Sequence, residues 1–297
     1  MKVSIVTACR NAAATVEETL RSVLGQTGVE LEYLVLDGAS TDGTTEIIRR
    51  FEPQLAHFGS APDRGQTDAL NQGFARATGD ILGFLNADDV MLPGTLQAVR
   101  ERFAAAPACE IVYGGIEWID FAGQSLGFHH GEIESLDDIL DIFRVWWGKK
   151  QWVQPEVFFR RALKDRVGPF DERYHLAFDY DFWVRCFLAG ARVARLPAPL
   201  VQFRRHAAQK SNDHERANEE LRAIVHEHLA ANPPIGGWKR AVLDAQLRYD
   251  TYQNSRADRR PSFGAALLRN PAWMLSPAVR QRIRVAVFRT SVRGSGG

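Results

Sequence analysis

In the first hundred residues of this 297-residue chain, short β-branched apolar runs alternate with amphipathic helical stretches, and that rhythm leaves few folds open. Residues 2–8 (KVSIVTA) read as a strand, followed by a helical pattern with Val16, Leu20, Val23 and Leu24 on one face. Residues 31–37 (LEYLVLD) predict a second strand and 44–51 a second helix, with a weaker strand over 55–60. A helix over 67–77 would turn Ala69, Leu70 and Phe74 inward, and 80–85 (DILGFL) reads as a buried strand. A helix over 93–103 follows, with Pro93 suited to its first turn. Strands separated by helices of about 10–15 residues imply βαβ units and a mostly parallel, doubly wound sheet. Ligands of such sheets sit beyond the carboxyl ends of the strands.

The rhythm changes after Cys109. Residues 110–115, 117–121 and 124–129 read as short strands with glycine turns, 137–147 and 179–188 as helices, and 196–201 as a Pro-rich strand. A long charged helix over 212–231 ends at the break Asn232-Pro-Pro-Ile-Gly-Gly, and arginine-rich amphipathic pieces follow. The near-neutral total, Lys+Arg 37 against Asp+Glu 36, hides an asymmetry. Residues 235–297 hold 12 Lys/Arg and 3 Asp/Glu, a net of +9, which leaves −8 for the first 234. Hydrophobic residues at 45% and charged residues at 25% exclude a disordered chain, a collagen-like repeat or a small disulfide scaffold. Cys9, Cys109 and Cys186 form no CxxC and no even-numbered framework, the pattern of a reducing cytosol. The opening apolar run is too short for a signal peptide, and no stretch approaches the roughly 18 apolar residues of a spanning helix. A cytoplasmic chain that does not cross a membrane and binds no nucleic acid is the expectation.

The predicted strand ends show what a ligand would meet. They carry Thr7-Ala8-Cys9-Arg10-Asn11, Asp37-Gly38-Ala39-Ser40-Thr41-Asp42-Gly43 and Asn86-Ala87-Asp88-Asp89. Neither GxGxxG nor GxxxxGK[ST] occurs, so dinucleotide and P-loop readings lose their main support. Carboxylates suit ribose hydroxyls, base N–H groups and hard divalent cations, and repel a diphosphate unless a metal intervenes. An acidic strand-end site points to a metal-bridged nucleotide.

The runs SIVTACRNAAATVEETLRSVLGQT, EYLVLDGASTDGT, DRGQTDALNQGFARATGDILGFLNADD and FDYDFWVRC, in that order and spacing, resemble the family 2 inverting glycosyltransferases of GT-A fold, over about residues 1–210. The resemblance implies an α/β, Rossmann-like, mostly parallel sheet flanked by helices, with a helical C-terminal extension. It divides the chain into a nucleotide-sugar-binding half (1–115), an acceptor-binding and catalytic half (116–212) and a basic helical extension (213–297). Thr7 and Asp37 match the positions that hold base and ribose, and Arg64 and Asp68 the segment that closes over the nucleotide. Asn86-Ala87-Asp88 matches the DxD motif, with Asp88 the metal ligand, Asn86 in place of the commoner aspartate, and Asp89 available to compensate. The plainer competitor is that Asp88-Asp89 caps a helix before Pro93. Asp179 aligns with the catalytic base, Phe178 replacing the usual glutamate before it, and Asp181 is read as orienting the helix or an acceptor group. His206 is a second candidate metal ligand, while Arg204, Arg205 or Lys210 would stabilise the departing diphosphate. Trp152 and Gln154 are candidate acceptor contacts; aromatic residues at such spacing are also core material.

The implied activity is metal-dependent transfer, with Mn²⁺ or Mg²⁺, of one sugar from a nucleotide diphosphate sugar, UDP-type favoured, to a hydroxyl on a glycan or lipid-linked acceptor, with inversion. By analogy its setting is bacterial cell-surface polysaccharide or glycolipid assembly. Two alternatives stay open: a sugar nucleotidyltransferase, although residues 7–11 lack the GxGTR-like loop it needs, and an inactive nucleotide-sugar-binding protein. The basic segment 235–297 either touches the inner face of an anionic membrane or packs on the acidic body. Trp238, Val242, Leu243 and Leu247, then Trp273 and Leu275, then Ile283, Val285, Val287 and Phe288 among Arg280, Arg282, Arg284, Arg289 and Arg293, are its apolar faces.

Overall fold

The computed structural model describes residues 1–207, 209–231, 237–254 and 261–284. Among these residues nine strands form one sheet: β1 Lys2–Cys9, β2 Glu30–Asp37, β3 His57–Ser60, β4 Ile81–Phe84, β5 Val90–Met91, β6 Ile111–Ile119, β7 Ser125–His130, β8 Val157–Arg160 and β9 Val193–Arg204. Their order is β3-β2-β1-β4-β8-β6-β9-β5, with β7 paired to β6. The helices are α1 Val16–Leu24, α2 Thr44–Arg49, α3 Gln66–Arg76, α4 Thr95–Ala105, α5 Leu136–Leu140, α6 Ile142–Val145, α7 Arg161–Val167, α8 Phe178–Leu188, α9 His214–Ala231, α10 Gly237–Asn254 and α11 Phe263–Arg269.

The expected parallel order holds from β3 through β4. Beyond it the sheet is mixed: β8 runs antiparallel to both β4 and β6, and β5 antiparallel to β9. Parallel pairing needs a crossover of a dozen or more residues. The β1–β4 segment supplies such crossovers as helices; after Cys109 the five-residue connection 120–124 reverses β7 against β6, while β6 and β9, far apart in sequence, pair in parallel.

Local chemistry explains the remaining departures from the expected elements. In place of the two strands expected over 110–115 and 117–121 there is one, Ile111–Ile119, with Gly114 and Gly115 inside it, where Leu200 and His130 press against the backbone and leave no space for a Cβ. The helix expected over 137–147 breaks at Asp141, whose carboxylate accepts the Arg144 N–H at 3.1 Å and restarts the helix as α6. On α1, Val16, Thr19, Leu20 and Val23 form the buried stripe expected at helical spacing. Gly73 lets α3 lie close on the sheet, since a Cβ there would come within 2.4 Å of Val6 Cγ1.

The chain divides into two compact units, 1–220 and 221–297. The first holds the sheet, with one core of Val3, Ile5, Leu20, Val35, Ile116 and Phe158 and their neighbours. Its three cysteines are buried free thiols. The second has a small core of its own, Tyr249, Ala266, Trp273 and Val279. Trp273 is therefore a core residue and not part of an exposed apolar face. Trp238, Leu268 and Met274 are exposed. Val285, Val287, Phe288, Arg289 and Arg293 lie outside the described residues.

Candidate active site

Because β1, β2 and β4 are parallel, their carboxyl ends open on one edge of the sheet and bring the three sequence motifs together. The loops are stitched to each other: Gly38 N–H donates to Cys9 O at 2.9 Å, Asn11 N–H to Ser40 Oγ at 2.7 Å, and Thr15 Oγ1 to Ala87 O at 2.8 Å. Asn11 (φ 53°) and Ala39 (φ 57°) both hold left-handed backbone here, a strain that persists only where surroundings enforce it.

Asp37 ends β2 buried, its carboxylate accepting Ser40 N–H at 3.1 Å, Ser60 Oγ at 2.6 Å and Thr45 Oγ1 at 3.1 Å. Burial alone would push this carboxyl up, but the bonds from Ser40, Ser60 and Thr45 outweigh it and hold it below the ordinary carboxylate range. Asp37 thus stays ionised and rigid. The Thr7 side chain is sealed inside, its hydroxyl 2.9 Å from Tyr33 Oη, so it does not present itself to a ligand. Asp68, in the first turn of α3, accepts the Arg64 N–H at 3.0 Å and its Nη2 at 2.9 Å. The exposed Arg64 guanidinium also reaches Glu172 at 2.9 Å.

After β4 the two adjacent acids part company. Asp88 Oδ2 lies 3.0 Å from His206 Nε2, both side chains partly exposed. Asp89 is fully buried, accepting the Arg204 N–H at 2.9 Å and Asn86 Nδ2 at 2.8 Å. Burial, then the Asp88 charge, push its carboxyl well above the ordinary range. Asp89 therefore does not compensate for the missing DxD aspartate; it is a structural acid. Asn86 itself is spoken for, giving its amide to Asp89 and accepting from Gln66 Nε2 at 2.9 Å.

The diphosphate role expected of Arg204 also needs correction. At 2% exposure its guanidinium donates to Asp88 O, Phe121 O, Asp120 O and Glu18 Oε2, so it braces the strand ends from beneath. Arg205 is exposed, over the Trp118 ring at 5.4 Å. Trp152 is 2% exposed, packed among Tyr113, Trp183 and Phe187, and belongs to the core rather than to an acceptor surface. Asp181 is likewise buried and ion-paired with Arg185 at 2.8 Å, which in turn donates to Val167 O and Pro169 O. It ties α8 to the preceding loop and does not face an acceptor. Gln154 is half-buried, its Nε2 without a hydrogen-bond partner among the described residues.

Asp179 sits in the first turn of α8 at 9% exposure, one carboxylate oxygen accepting the Tyr180 N–H at 2.8 Å. Burial pushes it up to about 6, against the pull of that N–H and of the Lys210 ammonium. Lys210 donates to His175 O and to Gln66 Oε1 at 3.3 Å, and lies 5.8 Å from the centre of the Phe178 ring. A chain of contacts, Asn86 to Gln66 to Lys210, thereby runs from the end of β4 to the helix of Asp179. A cleft beside it is lined by His175, Leu176, Lys210, Asp213 and Arg216. Sequence reasoning passed over Gln66 and Glu18, although both stand in the quoted runs.

A divalent cation at Asp88 and His206 is compatible with this geometry. Their facing atoms stand 3.0 Å apart, about the edge of an octahedron of ligands at roughly 2.1 Å. Among the described residues no third His, Cys, Asp or Glu joins them, so a cation held there would take its other ligands from substrate or water.

Residues 4–161 match the model of the Glycosyl transferase family 2. A PGL/p-HBAD biosynthesis glycosyltransferase of Mycobacterium bovis is 34% identical over 196 residues, 65% of this chain and 72% of that protein. An uncharacterized glycosyltransferase of Nostoc sp. is 26% identical over 293 residues, 90% of this chain and 88% of that one. In fold the chain is similar to S. aureus TarS 1–349, solved in complex with UDP-GlcNAc, with TM-score 0.65 and 18% identity over 87% of this chain and 74% of that one. It is also similar to the mannosyltransferase PcManGT from Pyrobaculum calidifontis, solved with GDP-Man and Mn²⁺, with TM-score 0.54 and 22% identity over 99% and 75%. With the family model covering more than half its length over the strand-end motifs just described, this chain belongs to the family 2 glycosyltransferases, and its activity is glycosyl transfer.

Proposed function

We propose that the enzyme moves a sugar from a nucleotide diphosphate donor, UDP-type, to an acceptor hydroxyl with inversion, and that Asp179 takes the hydroxyl proton. The observation that carries this reading is the state of Asp179: a buried carboxyl at a helix start, pushed up to about 6 and linked through Lys210 and Gln66 to the acidic strand-end site. A general base works best when its pKa lies near the working pH. Asp37 would meet the ribose through its ionised carboxylate, and Arg64 with Asp68 would close over the nucleotide. Asp88 and His206 would hold Mn²⁺ or Mg²⁺ together with the donor diphosphate. Such a cation supplies charge neutralisation for the departing nucleotide. Lys210 adds a second positive group beside Asp179, and the orphaned Gln154 amide supports an acceptor contact. Nucleotide sugars in the TarS and PcManGT structures and the Mn²⁺ of the latter support the donor and the metal.

The Mycobacterium relative's role in PGL/p-HBAD biosynthesis supports a cell-surface glycolipid or polysaccharide as acceptor. Exposed Trp238, Leu268 and Met274 within the basic 235–297 segment support peripheral contact with an anionic membrane. Among the described residues no helix is long and apolar enough to cross one. The test of the transfer reading is Asp179→Asn, assayed for transfer and, by calorimetry, for donor affinity with and without Mn²⁺. Transfer should fall by on the order of 10²–10⁴-fold with donor affinity intact; turnover within a few-fold of wild type moves the base elsewhere. Co-sedimentation with anionic and neutral vesicles, for the full chain and one ending at residue 231, tests the membrane contact. Equal binding by both chains, or none at low salt, refutes it.

A further inference from the structure

Helix α8 starts without a cap of its own: no side chain at Ala177 bonds to the first turn. Its entry segment is gripped instead by a residue from α9. The Glu220 carboxylate accepts three consecutive backbone N–H groups, from His175 at 3.1 Å, Leu176 at 2.7 Å and Ala177 at 2.9 Å. Arg216 Nε donates to the same carboxylate at 3.2 Å. The segment is held on its other side as well, by Lys210 on His175 O and by Thr67 Oγ1 on Tyr174 O at 3.3 Å. Three amides closing on one ionised group is the arrangement by which backbone binds anions, here filled by the protein itself. Burial would push the Glu220 carboxyl up; the three amides outweigh it and hold it below the ordinary range.

We infer that Glu220 is a positioning residue for the catalytic carboxylate: by clamping residues 175–177 it fixes where α8 begins, and so where Asp179 meets the acceptor. The inference rests on the reading of Asp179 as base. It assigns two separable effects to one side chain. Reach sets geometry, because a base displaced by about 1 Å loses on the order of 10²-fold in rate. Charge sets basicity, because Glu220 raises Asp179 while Lys210 lowers it. Of the other charged or titratable groups around Asp179, Arg216 is paired with Glu220, Asp181 with Arg185 on α8 itself, and His175 belongs to the clamped segment. Among the described residues Glu220 acts on Asp179 as a negative group from outside its own helix, with Lys210 opposing it.

The experiment compares the full-length enzyme with Glu220→Gln, Glu220→Asp and Asp179→Asn by kcat–pH profile, donor affinity by calorimetry, and melting temperature. Glu220→Gln removes the charge and turns one of the two accepting oxygens into an NH2 that cannot accept the clamped N–H groups: kcat falls on the order of 10-fold, and the acid limb moves to lower pH by roughly half a unit. Glu220→Asp keeps the charge but shortens the reach: kcat falls similarly with the limb unmoved. Donor affinity stays at the wild-type value in both. Should Glu220→Gln melt too low to assay, the Glu220→Asp profile decides alone, and wild-type kcat there overturns the proposal. Glu220→Gln with kcat within two-fold of wild type, or with an unmoved limb, also overturns it. If instead Asp179→Asn retains transfer, the base assignment has failed, a result distinct from either Glu220 outcome.

Discussion

Arg204 is the residue for which sequence and structure imply opposite experiments, and its removal gives a quantitative test. Its guanidinium donates to Asp88 O at 2.9 Å, Phe121 O at 2.9 Å, Asp120 O at 3.3 Å and Glu18 Oε2 at 2.5 Å. Glu18 is 58% exposed and regains water when its partner goes, so its loss costs little. The part-buried carbonyls of Asp88 and Phe121 are different, since an acceptor shielded from water and left unpaired costs about 1–3 kcal/mol, whereas Asp120 O keeps the Gly123 N–H. Asp89 keeps the Arg204 backbone N–H but loses the nearest cation over its buried carboxyl. Together these put Arg204→Ala at about 3–5 kcal/mol, the usual cost of opening a buried ionic contact. For a unit of this size about 2–4 °C accompanies each kcal/mol, so the melting temperature should fall by roughly 6–20 °C. Calorimetric melting of the variant, paired with donor titration under conditions where it is folded, is the assay. If Arg204→Ala melts within about 2 °C of wild type while donor affinity drops tenfold or more, the guanidinium faces the diphosphate and the brace described here is wrong.

With Asp179 as the base proposed above, turnover should rise with pH through about 6 and then level, because only the ionised carboxylate accepts a proton; a limb centred near 4 would place an unburied carboxylate in that role. The same shift has a stability consequence. A folded-state pKa above the unfolded value means that stability is lost as pH rises toward about 6, so Asp179→Asn should melt higher than wild type at pH 7.5 and equal to it near pH 4. Trp152→Ala should cost about 3–5 kcal/mol of stability through cavity formation; a stable variant with only a raised acceptor KM would restore Trp152 to the acceptor site.

The parallel half of the fold was legible because its evidence is local: apolar period, helix spacing and strand-end acids all lie within a few residues of each other. The motifs converge for the same reason, since parallel strands share one carboxyl edge. What the sequence hid was decided by partners far along the chain. Arg204 reads as a phosphate ligand until β9 lands beside β5 and buries it under the end of β4. Trp152 reads as a sugar platform until Trp183 and Phe187 of α8 close around it. Glu220 gives no local signal at all; its meaning comes from three amides more than forty residues upstream.

Asp88 and Asp89 carry that point to a testable end. Both stand in one DxD-like run, and nothing local says which carboxylate faces a ligand. The pairing of Val90 and Met91 with Gln202 and Val201 decides it, by setting the end of β9 against the turn that follows β4. The Arg204 N–H then takes Asp89 inward, and His206, two residues on, meets Asp88 at the rim. The two positions should therefore fail in opposite ways. Asp89→Ala strands the Arg204 N–H and the Asn86 amide, at about 1–3 kcal/mol each, and lowers the melting temperature. Asp88→Asn removes a charge from a partly exposed rim and leaves melting within about 2 °C of wild type. On the metal role proposed for Asp88 its cost falls on the donor: losing one charge-assisted contact of about 1.5–3 kcal/mol weakens donor binding in the presence of Mn²⁺ by roughly 10–100-fold. Melting curves and donor titrations on the same two variants separate these outcomes. A shared pattern, both destabilised or both merely weak in donor binding, would mean that the split between a structural and a ligand-facing acid does not exist.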